Sequence, residues 1–124
     1  MVNSKQIGNV SVNRAREFYE SEGYVTTVVE LTGRFRKYKD AFSKYFEEVI
    51  GREGGFDILC IHPSKLPVLV QVTTSKPKVH IPYIAFAKEF GHTVVTEVYV
   101  RMKKRQKDYR IIYNSDGTKV KRMT

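Results

Sequence analysis

Residues 54–76, GGFDILCIHPSKLPVLVQVTTSK, are the stretch from which the fold follows. Apolar runs at 56–62 and 67–74 flank Pro63, Ser64 and Lys65, where turn chemistry is concentrated, and Pro67 opens the second run. This pattern predicts an antiparallel hairpin. Each arm carries one polar residue, Asp57 and Gln71, where an apolar one would be more comfortable. With the turn at 62–66, Asp57 stands opposite Gln71, and opposed residues project from one face of the pair. Thr73 shares that face, because side chains alternate along a strand. Three polar groups are therefore expected to converge near one sheet edge. A plainer role is also open: Asp57 capping a turn after Gly54 and Gly55, and Gln71 bonding a neighbouring loop.

Outward from the hairpin, the elements follow from periodicity. Ser11 or Asn13 is expected to cap a first helix running to Glu22, with Val12, Ala15, Phe18 and Tyr19 on one face and Gly23 ending it. YVTTVVEL (24–31) is rich enough in β-branched residues to be a strand. Tyr38, Ala41, Phe42, Tyr45, Phe46, Val49 and Ile50 predict a helix over 37–50, broken by GREGG. Its apolar stripe serves either the core or a second copy of the chain in a homodimer. PYIAFAKEFG predicts another helix, with Pro82 in its first turn. Strands at 93–102 and 108–113 pair across KKRQK, NSDGT (114–118) turns, and 114–124 is expected to be a loose basic tail. The predicted fold class is α/β: one domain over 1–124, with a mixed sheet flanked by helices.

Composition narrows the partners. The 124-residue chain has a formal net charge of +9, which attracts it to polyanions such as nucleic acid. Nine of its cations fall between Arg101 and Arg122, against only Asp108 and Asp116. A second cluster, GRFRKYK (33–39), interleaves cations with Phe35 and Tyr38. Arg34, Arg36, Lys37, Lys39, Arg101, Lys103, Lys104, Arg105 and Lys107 are thus the expected nucleic-acid contacts. The alternative for both clusters is a solvated surface. Cys60, the single cysteine, excludes an internal disulfide, and His62, His80 and His92 lack zinc-site spacing. No apolar run is long enough to cross a bilayer and no signal peptide is visible, so a cytoplasmic, membrane-free protein is expected.

"GGFDILCI…VLVQVTT…TVVTEVYVRMKK" resembles the PD-(D/E)xK nuclease superfamily, restriction-endonuclease-like and Holliday-junction-resolvase-like. In particular it resembles small phage and prokaryotic members in which a "VQVT" strand replaces the commoner acid. The resemblance covers residues 11–100 apart from the helix at 37–50. It implies an αβββαβ core with that helix inserted and a strand added at the C-terminus. It also implies a metal-dependent DNA endonuclease, backbone- or structure-selective, acting on double-stranded or branched DNA. Mg²⁺ or Mn²⁺ would be held by Asp57, Gln71 and the Val72 carbonyl. Gln71 stands at the second acid and Thr73 at the lysine. An amide offers a cation an oxygen but no charge, so another carboxylate is needed, from Glu17, Glu20, Glu30 or Asp40. An ammonium must also come from elsewhere, with Lys76 and Lys88 as candidates. Two alternatives remain open: a catalytically silent DNA-binding protein of the same fold, and an RNA-binding or protein-interaction domain acting through its basic tail.

Overall fold

The structure is a computed structural model that describes residues 4–30, 34, 37–74, 80–103 and 106–124, and the side chains of the first helix from Val10 onward. Its elements in chain order are α1 (Ser4–Ser21), β1 (Val25–Val28), α2 (Ala41–Tyr45), β2 (Ile58–His62), β3 (Lys65–Thr73), α3 (Ile81–Phe90), β4 (Val95–Val100), β5 (Tyr109–Tyr113) and β6 (Lys119–Met123). α2 runs on as a turn of π-helix over Phe46–Ile50. The six strands form one mixed sheet in sequence order, with β3 and β4 parallel and the other neighbours antiparallel. The one parallel step requires a crossover, and α3 supplies it.

Alternation along the strands divides the core between two faces. Ile58, Cys60, Val68, Val70 and Tyr99 meet Ala15 and Tyr19 of α1 on one side. Leu69, Val98, Val100, Ile111 and Tyr113 meet Phe46, Tyr83, Phe86 and Ala87 on the other. The second face is mostly aromatic: Phe46 and Phe86 stack at 5.5 Å, and Phe56 meets Phe86 edge-on at 5.0 Å. A polar network pins α1 to the first face. Tyr19 donates to the buried Glu97 carboxylate at 2.7 Å, Arg110 pairs with the same group at 3.0 Å, and Arg14 reaches the buried Asp108 at 2.8 Å. Burial and the Glu97 charge hold the Tyr19 hydroxyl well above the usual tyrosine range.

Several boundaries move. Ser11 is not a cap but a buried residue well inside α1, which begins at Ser4, because Arg101 lies over the Ser11 hydroxyl at 3.2 Å and takes up its polarity. Gly23 does end the helix, at φ 93°, a left-handed conformation that favours glycine. The predicted 37–50 helix starts only at Ala41. Asp40 is its N-cap, accepting from the Ser43 amide at 2.9 Å, which leaves Lys37 and Tyr38 ahead of it. The hairpin turn is tighter than expected, with β3 opening at Lys65 rather than Pro67 and a register shift between Cys60 and His62. Residues 119–123, expected to be part of a loose tail, form an edge strand paired to β5 throughout. The turn before it closes with the Gly117 amide on the Asn114 carbonyl at 3.0 Å.

Candidate active site

Asp57 sits where the loop gives way to β2, and the chain ties it down from three directions. Its amide donates to the Val70 carbonyl at 2.8 Å, and its carbonyl accepts from Val29 at 2.9 Å. Its carboxylate accepts the Val72 amide at 2.8 Å. The side chain thus continues a ladder whose backbone partner has run out, meeting the requirement that a strand amide be paired. Ile58 lies opposite Val70, so Asp57 falls level with Gln71.

Both residues line one cleft of about 420 Å³, shared with Glu30, Asp40, Ser43, Glu53 and Tyr83. The glycines before Asp57 let the chain come in close. A Cβ at Gly54 would lie 2.7 Å from the Phe46 ring, and one at Gly55 would lie 3.1 Å from the Ser43 hydroxyl. Tyr83 projects from the first turn of α3 and donates to the Gly55 carbonyl at 3.3 Å.

The electrostatics of the cleft are acidic. Burial pushes the Asp57 carboxyl up to about 6, the Val72 amide works against this, and the Glu30 and Asp40 carboxylates add to the rise. The Asp57 and Glu30 carboxyls lie close enough to share a hydrogen bond when one is protonated. Burial likewise raises the Tyr83 hydroxyl to about 12.

The expected site residues divide. Asp57 and Gln71 come together, with Glu30 and Asp40 beside them. Thr73 continues the same strand, pairing with Val100, but is not part of the cleft wall. Val72 meets Asp57 through its amide rather than its carbonyl. Glu17 and Glu20 belong to α1, which covers the opposite face; Glu17 is exposed, and Glu20 accepts from Thr26 at 2.8 Å. Neither serves the cleft. Lys88 is also displaced: its stem lies against Gly117 in the β5–β6 turn, because the far end of α3 packs there. Lys76 lies outside the described residues. Glu53, Ser43 and Tyr83 are cleft residues with no distinguishing signal in the sequence.

The basic segments are arranged around the same end of the sheet. Asp57, the ends of β3 and β4, the start of β5 and the end of β6 all lie there, as the pairings of Thr73 with Val100, Val100 with Tyr109 and Tyr109 with Met123 show. The 101–108 loop leaves from this end, and so does the chain after Val29 that leads to Arg34, Lys37 and Lys39. Arg34, Lys37, Lys103 and Lys107 are exposed. Arg101 departs from expectation, since its guanidinium turns to Ser11 on the α1 face. Arg36, Lys104 and Arg105 lie outside the described residues.

Among the described residues, no three acidic, histidine or cysteine side chains converge to hold a metal unaided. Mg²⁺ does not require such a cage, since it is commonly held by one or two carboxylates, waters and substrate phosphates. Asp57 and Glu30, side by side in the cleft, fit that smaller donor set, and Gln71 adds a neutral amide. Compared with models of known protein families, with curated proteins and with solved structures, the chain matches none.

Proposed function

We propose that this protein is a divalent-metal-dependent DNA endonuclease of the PD-(D/E)xK kind, selective for backbone or branched structure rather than base sequence. The observation that carries the reading is the Asp57 carboxylate. The hairpin holds it beside the Glu30 carboxyl and Gln71 in one cleft, at the sheet end where both basic segments leave. The order helix, three strands, helix, strand, with α2 inserted, supports it as well.

Mg²⁺ or Mn²⁺, when bound, supplies a Lewis acid that polarises a phosphoryl oxygen and lowers the pKa of a water. Asp57 and Glu30 would hold the cation, and the Val72 amide fixes the Asp57 carboxyl in place. In the hydrolysis, a water oxygen bonds to phosphorus as the phosphorus–sugar oxygen bond breaks; the water loses a proton and the leaving oxygen gains one. Exposed Lys37, Lys103 and Lys107 neutralise flanking phosphates, which positions the duplex without reading its bases.

A second reading has its own support. Thr73 and the displaced Lys88 leave β3 and α3 without an ammonium directed at Asp57 among the described residues. That favours a silent DNA-binding protein of the same fold. One experiment separates them: incubation of supercoiled and four-way-branched DNA with Mg²⁺ and with Mn²⁺. The nuclease reading expects cleavage that Asp57→Ala and Glu30→Ala abolish while DNA binding persists. Binding without cleavage under either metal establishes the silent form.

A further inference from the structure

We propose that Lys39, on the chain entering α2, supplies the ammonium that β3 lacks, exchanging its ion pair with Glu47 for a phosphate held at Asp57. This rests on the nuclease reading of the same cleft.

Position is the first argument. Lys39 lines a cavity of about 260 Å³ with Glu30, Asp40, Ser43, Glu53 and Gly54. All five of those neighbours also line the cleft of Asp57 and Gln71, so the two cavities adjoin across a shared wall. Lys39 is the one basic residue lining either cavity among the described residues.

Charge is the second. The combined walls carry the carboxyl groups of Glu30, Asp40, Glu47, Glu53 and Asp57. One divalent cation offsets only part of that charge, and a phosphodiester adds more of the same sign. An ammonium inside the boundary is what the arriving anion lacks.

Tethering is the third. Asp40, the next residue, caps α2 through the Ser43 amide, which fixes the backbone from which Lys39 projects. Its partner Glu47 stands on the π-helical turn, and both side chains of the pair are more than half exposed. An exposed pair of this kind contributes little stability, and a lysine stem is flexible, so exchange of partner is easy. In its second position the ammonium contacts a non-bridging phosphate oxygen and offsets the charge that develops there. It stays protonated throughout and transfers no proton.

The test is single-turnover cleavage of supercoiled or branched DNA in Mn²⁺, set beside DNA affinity measured in Ca²⁺. Lys39→Ala is expected to slow cleavage about 100-fold, the usual effect of removing one such donor. Its DNA affinity should fall only by about the few-fold that one phosphate interaction is worth. Lys39→Arg should recover most of the rate, and Glu47→Gln, which removes the competing carboxylate, should cleave at least as fast as the parent chain. If Lys39→Ala cleaves at the parent rate while Asp57→Ala is dead, the Lys39 assignment fails and the nuclease reading stands. If cleavage and affinity fall in equal proportion, Lys39 is only a phosphate tether and the assignment fails. No cleavage by the parent chain under any divalent metal overturns both.

Discussion

Asp57 is asked for two things that favour opposite protonation states. The Val72 amide it accepts favours the carboxylate, while burial and the Glu30 and Asp40 carboxyls favour the acid, and the balance lies at about 6. The folded chain therefore holds this proton more tightly than the unfolded chain does. The resulting stability is fully present below about pH 4 and is lost as pH rises through 6. Asp57→Asn keeps an acceptor for Val72 but removes the titration. Metal-free melting of this variant should be flatter between pH 4 and 7, and at pH 7.5 it should be more stable than the parent by on the order of 1–2 kcal/mol. Thermal melts in EDTA across that range check this, and an unchanged pH profile would place the strain elsewhere. Millimolar Mg²⁺ should raise the parent's melting temperature and leave that of Asp57→Asn in place.

At the scale of elements, the two edges of the sheet differ in character. β1 at one edge is short and uncharged, Val-Thr-Thr-Val, whereas β6 at the other is exposed along its whole length and carries Lys119, Lys121 and Arg122. Charge of this kind discourages pairing with other chains. β6 also covers β5: Lys121 lies 4.3 Å from the Tyr109 ring centroid, and Thr124 returns to the Asp108 carbonyl at 3.0 Å. Truncation after Thr118 should therefore lower stability by on the order of 2 kcal/mol, through the ladder bonds removed and the apolar surface uncovered. It should also make the shortened chain prone to self-association. Urea unfolding and sedimentation check both; a truncated chain with the parent's stability and mass would restore the picture of a loose tail.

For the whole molecule, the sheet acts as a plate with the acidic cleft at one end. α1 closes one face through the Tyr19–Glu97–Arg110 network, the aromatic layer of α2 and α3 closes the other, and the loops at the far margin of β2–β5 are left to carry charge. If the chain is the nuclease proposed above, phosphate contacts from those loops should dominate its affinity for DNA. Replacing Lys37, Lys103 and Lys107 together with alanine is expected to reduce the slope of log affinity against log salt by roughly 0.9 for each phosphate no longer neutralised, with the cleavage rate at saturating DNA preserved. A salt titration by fluorescence anisotropy measures this. An unchanged slope would count against these loops as a nucleic-acid surface.

Local pattern is enough for the hairpin, for Asp57 standing level with Gln71, for the α3 crossover and for the apolar face of α1, because alternation and helical spacing are written into neighbouring residues. The start of α1 and the cap at Asp40 are harder to see, since each depends on a partner distant in the chain or on one hydrogen bond among several candidates. The side of the sheet is not legible at all. Glu17, Glu20, Glu30 and Asp40 are all candidate carboxylates along the chain, and packing alone puts α1 on the far face while bringing Glu30 and Asp40 beside Asp57. Lys88 misleads for the same reason: which way an exposed lysine on a helix turns is set by the element beneath it, here Gly117. Residue type and spacing determine which elements form. Which of their polar groups meet depends on burial across the sheet, and only the tertiary structure contains that.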